Sequence, residues 1–140
     1  MPRDPKELGT SRDWLSRARS NLTRATEPKP DGVYWEDLCF DAQQAVEKGL
    51  KALLIARNIP FRFVHDIGEL LNLLLGDGVE VPDDVLETAE LTEYAVEARY
   101  PGTYEPVTEE ECKRAAELAQ IAVAWVAAQI EDENAETSGD

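Results

Sequence analysis

The chain has 140 residues, among them 29 acidic and 14 basic side chains for a net charge of −15, a length that makes one domain able to bury roughly two-thirds of its unfolded surface. That acidity excludes a general nucleic-acid or DNA coat protein, because phosphate backbones are bound by neutralising them with Lys and Arg. No stretch approaches the ~20 consecutive apolar residues of a membrane span, and the start, MPRDPKELGTSRDW, has no apolar signal core, so a soluble, cytoplasmic protein without membrane association is expected.

A first helix is predicted from Ser11 to Thr26, entered at Thr10 or Ser11 as cap and stopped by Pro28, Pro30 and Gly32. It carries Arg12, Arg17, Arg19 and Arg24. Residues 1–24 hold six basic and three acidic side chains, whereas 77–140 hold three and eighteen. Charge polarised in this way either keeps a solvated face soluble or steers a phosphate ligand toward the N-terminal side.

The second helix, about Val33 to Asn58, places Leu38, Ala42, Val46, Gly49, Leu50 and Leu53 on one face at three- and four-residue steps, and Pro60 prevents its continuation. Gly49, where a helix prefers alanine, implies close approach of a neighbouring backbone or a tolerated cost of about 1 kcal/mol. Beside the apolar face, Gln44 and Lys48, and Glu47 and Lys51, stand four apart. They form either a solvated stripe stapled by pairs worth a few tenths of a kcal/mol, or a phosphate and base site with the lysines as point charges and the Gln44 amide as hydrogen-bonding group.

Asp66 with Glu69 is a capping-box-like pair opening a third helix that Gly76 and Gly78 close. His65, the only histidine, directly precedes this cap and is placed to hydrogen-bond across the turn. A fourth helix is predicted from Pro82, in its first turn, to about Arg99, ended by Pro101 and Gly102. Arg99 either complements the negative helix end, stacking on Tyr94 or Tyr100, or offers a guanidinium fork ringed by tyrosines to a nucleotide.

Thr108 with Glu111 caps a fifth helix, about Glu109 to Ile130, with two apolar stripes. Leu118, Ile121, Trp125 and Ala128 make the second stripe, expected to be either central or, preferably, a dimer interface. Residues 131–140 are polar, acidic and aperiodic and are expected to be a disordered tail of a single domain spanning 1–130. Strand signals are absent, so the expected fold is all-α, an up-and-down antiparallel bundle of four to five helices. Cys39 and Cys112 are read as reduced core thiols. No metal-binding cluster, cofactor motif, Gly-rich phosphate loop or nucleophile elbow appears, so no metal, cofactor or catalytic residue is assigned.

The segments AQQAVEKGLKALL, HDIGELL and YAVEARYP, in this order and spacing, resemble the signatures of the HEPN domain over roughly residues 11–130. The resemblance implies a helical bundle, usually a homodimer. It further implies association with nucleotides or RNA, often as partner of a minimal nucleotidyltransferase in a toxin–antitoxin-like pair. Some HEPN proteins are ribonucleases with Arg, four to six residues, then His. Here seven residues separate Arg57 from His65 and two separate Arg62 from it. A binding module with a cleft of Lys48, Lys51, His65, Tyr94 and Arg99 is therefore expected, with a His65-dependent ribonuclease toxin and a purely structural helper as alternatives.

Overall fold

The fold, given by a computed structural model, is described for residues 9–95 and 107–138, with side chains to residue 133. Helix α1 (Ser11–Thr26) starts at Thr10, whose hydroxyl accepts the Asp13 N–H at 3.0 Å while Asp13 accepts the Thr10 N–H at 3.4 Å, a capping box. Helix α2 (Trp35–Ala56) begins two residues later than the spacing predicts, because the Asp37 carboxylate takes the Tyr34 N–H and makes Tyr34 the cap. Its end is a Schellman motif. Asn58 adopts φ 59° and the Ile59 N–H returns to the Leu54 carbonyl at 2.9 Å, so asparagine fills the left-handed position that glycine usually takes.

Helix α3 (Ile67–Gly76) is capped by Asp66 as expected, its carboxylate accepting the Glu69 N–H at 3.3 Å. The fourth segment corrects the sequence. Pro82 is the cap rather than a first-turn residue, the α-helical part, α4 (Asp83–Leu86), is one turn, and Glu87–Ala95 continue as a 3-10 helix. Thr88 contributes to the tightening: fully buried, it bonds its hydroxyl to the Val85 carbonyl three residues back at 2.6 Å. Helix α5 (Glu109–Ser138) runs past Ile130, which corrects the expected disordered tail over 131–138. Nothing from Glu109 to Ser138 is a Gly or Pro breaker, and Glu133 is tied to Arg57 at the end of α2.

The protein is an all-α bundle, as expected, with α2 at its centre, packed against α1, α3, α5 and the 3-10 segment. Leu50, Leu53, Leu54 and Val46 of α2 meet Val123 and Val126 of α5, Ala18 of α1, and Leu70 and Leu74 of α3 in one core. Gly49 marks the junction. A Cβ there would touch Ala18, Val123 and Val126 at 3.8–3.9 Å, ordinary contact, so three helices converge without requiring the glycine. Cys39 and Cys112 are free, buried thiols as read, and the hydrogen bond between them together with burial raises Cys39 far above the usual thiol range. No described helix is long and apolar enough to cross a membrane.

Candidate functional site

Because α2 is central, its polar residues cannot all reach water. Gln43, Glu47 and Lys51, at four-residue steps, are 0%, 3% and 3% exposed, so Glu47 and Lys51 are not the solvated stripe that their spacing allows. Their polar atoms satisfy one another. Lys51 Nζ donates to Glu47 Oε2 at 2.7 Å, and Gln43 Nε2 donates to Glu47 Oε1 at 2.9 Å. Three aromatic rings enclose the ammonium, with Nζ 5.8 Å from Trp14, 6.0 Å from Phe61 and 5.8 Å from Phe63.

His65 closes the network from outside. Its exposed ring places Nδ1 2.9 Å from Glu47 Oε1, and its carbonyl lies 3.4 Å from Gln43 Nε2. The imidazole thus bonds to α2 rather than across its own turn. Burial pushes the Glu47 carboxyl up, but the hydrogen bond and charge of Lys51, with the bonds from Gln43 and His65, outweigh it and hold the group below the usual carboxylate range. An ionised carboxylate only accepts, so Nδ1 of the imidazole is the donor in this bond.

On the α1 side of Trp14 lies a cleft of about 360 Å³ lined by Gly9, Asp13, Trp14, Arg17 and Lys48. Lys48 is aimed there by a relay: Nζ donates to Asn21 Oδ1 at 2.9 Å, Asn21 Nδ2 donates to Asp41 Oδ1 at 3.0 Å, and Arg24 meets Asp41 at 3.4 Å. Burial, foremost, holds the Lys48 ammonium below the usual lysine range; the Arg17 charge adds to this, while the Glu47 and Asp41 carboxylates oppose it. Among the described residues neither Arg17 nor Lys48 forms an ion pair. Arg57, Arg62 and Arg114 do, with Asp77 and Glu133, with Glu69, and with Glu87 and Glu90.

The residues singled out in the sequence therefore divide. Glu47, Lys51 and His65 come together, and Lys48, one residue along the helix, turns to the cleft. Gln44 spends its amide on Gln43 Oε1 at 2.7 Å. Asp66 caps α3, and Tyr94 reaches Glu111 on α5 at 3.4 Å, with burial, foremost, raising its phenol above the usual range. Arg99 and Tyr100 lie outside the described residues. Of the proposed interface, Leu118 is only 4% exposed and belongs to the core, a correction, while Ile121 and Ala128 are exposed and Trp125 is half-buried.

Sequence reasoning missed Trp14, Gln43, Asn21 and Asp41. Helical spacing was the available signal for part of them, since Trp14, Arg17, Asn21 and Arg24 share one face of α1.

The HEPN domain family model matches residues 11–131. None of the curated proteins compared matches the chain. Among solved structures it is similar to TT1696 from Thermus thermophilus, at 39% identity and TM-score 0.73, covering 85% of this chain and 97% of that one. It is also similar to ST0689, described as an archaeal HEPN homologue, at 32% identity and TM-score 0.70, covering 87% of this chain and 98% of that one.

Proposed function

This chain belongs to the HEPN family, and on that premise we propose that it is a binding module for nucleotide or RNA phosphates. It acts as a homodimer beside a minimal nucleotidyltransferase partner, in a toxin–antitoxin-like pair. The observation that carries the ligand class is the convergence of Arg17 and Lys48, neither neutralised by an ion pair among the described residues, on a cleft walled by Trp14. In a chain with 29 acids and 14 bases, two cations lining one cleft beside a single carboxylate, Asp13, and ion-paired to none among the described residues, favour an anion, and the indole borders the same space.

Binding rather than cleavage is supported by the two arginines that a ribonuclease would take from near His65. Arg57 and Arg62 are both committed to carboxylates. The test is calorimetric titration of the purified chain with adenylate nucleotides and a short 5′-phosphorylated RNA at low and moderate salt. Micromolar to sub-millimolar binding that weakens with salt and drops at least tenfold in an Arg17→Ala/Lys48→Ala double variant is expected. No heat of binding with any of these ligands at millimolar concentration would leave the structural-helper role instead.

A further inference from the structure

We propose that the Trp14 cleft selects the dianionic terminal phosphate of a nucleotide or RNA end over the monoanionic phosphodiester inside a strand. The inference rests on the cleft being a phosphate site, as argued above, and names which kind of phosphate it takes. Its first support is the donor set. Lys48 spends one N–H on Asn21 Oδ1 at 2.9 Å and keeps two, and Arg17 keeps its whole fork, as none of its nitrogens bonds a carboxylate among the described residues. Two cations with spare donors suit a group with three terminal oxygens and two charges better than one with two such oxygens and one charge.

The second support is rigidity. Lys48 is not a free surface lysine swinging through solvent, because Asn21 and Asp41, which orient it, are 9% and 5% exposed. Its charge is partly buried and sits near that of Arg17, and both conditions depress its ionisation. An incoming dianion meets both cations, so each of its charges gains an opposite one, with the Asp13 carboxylate of the same lining opposing in part.

The third support is the carboxylate in the lining. Asp13 lines the same cleft, its carboxylate held in place by the Thr10 N–H, and a Cβ placed on Gly9 would lie 3.7 Å from Asp13 Oδ2. A strand passing through would bring a neighbouring phosphate toward this fixed negative charge. A terminal group brings none, and its ribose hydroxyls find in Asp13 an acceptor.

The experiment compares, on the full chain by calorimetry, AMP with its monoanionic 5′-methyl ester, and the dinucleotide pApA with ApA, with adenosine and inorganic phosphate as controls. AMP and pApA should bind roughly tenfold tighter than the methyl ester and ApA. The ratio should fall toward one in Lys48→Met, which keeps the buried stem, and in Arg17→Gln, an exposed position where folding is not at stake. Equal binding of monoesters and diesters overturns this inference and leaves the phosphate site standing. Binding of inorganic phosphate as tight as AMP overturns the nucleotide-end assignment in favour of a plain anion site. Adenosine binding as tight as AMP, or no binding by any ligand, overturns both this inference and the phosphate site on which it rests.

Discussion

Oε1 of Glu47 lies 2.9 Å from Nδ1 of His65, although the two are eighteen residues apart and their side chains are 4% and 69% exposed. An exposed ring is thereby oriented by a buried carboxylate, which is itself fixed by the equally buried Lys51. A buried ion pair is weak evidence of stabilisation, since desolvating two charges cancels much of their attraction, but losing one partner leaves the other stranded.

Lys51→Met should accordingly destabilise the fold by about 3–5 kcal/mol, while Glu47→Gln/Lys51→Met should cost less than the single change, because no uncompensated charge remains. Denaturant melts of the four members of the cycle measure this. Simple additivity would show that the pair is not coupled.

Acid should weaken the fold through Glu47. Its folded pKa lies below its ordinary value of 4.5, so the stabilisation is fully present above about 4.5 and is lost as the pH falls through the lower folded value. Half-buried Glu69, lowered by Arg62, titrates in the same direction. The difference in stability between wild type and Glu47→Gln, followed from pH 7 to pH 3, should shrink on acidification; a difference independent of pH would remove Glu47 as its source.

Gly49→Ala should raise stability by about 1 kcal/mol, since the added methyl meets Ala18, Val123 and Val126 at ordinary contact distance and alanine is the better helix former. A lowered melting temperature would mean that the three-helix junction is tighter than these distances.

The isolated protein should show little or no ribonuclease activity. Cleavage through the 2′-hydroxyl needs a proton acceptor and a cation within about 3 Å of the reacting oxygens. His65 supplies the first, but Arg57 and Arg62 are engaged elsewhere. Metal-free incubation with structured and single-stranded RNA, beside His65→Ala, decides it: turnover lost in the variant would establish the toxin in place of the binding module.

Trp125→Asp or Ile121→Asp should convert a dimer to a folded monomer, whereas Leu118→Asp should unfold the chain, because Leu118 is in the core. Light scattering at tens of micromolar measures the first, and circular dichroism the second. A monomeric wild type would end the dimer proposal.

The helices were legible in the sequence because their signals are local. Thr10 with Asp13, Asp66 with Glu69, and Thr108 with Glu111 act over three residues, and α1 runs over the expected Ser11–Thr26. One misjudged end lies at a distant contact: α5 continues past Ile130, where Glu133 meets Arg57 across 76 positions of sequence, whereas the start of α2 turned on the local Tyr34–Asp37 cap. Within the site, Glu47, Lys51 and His65 were legible as polar residues of interest, but the division between Lys51 and Lys48 was not.

By itself the sequence determined the all-α class, the core face of α2, the Asp66 cap and the family, since periodicity, caps and motif spacing are properties of consecutive residues. Only the tertiary structure decided which polar residues are buried and which meet a ligand. Glu47 and Lys48 are neighbours in the chain, but about 100° of helical rotation separates their side chains, and what covers each direction is set by other segments. The 61–65 segment, with Phe61, Phe63 and His65, closes over Glu47 and Lys51, while Asn21, held by Asp41, draws Lys48 to the α1 cleft.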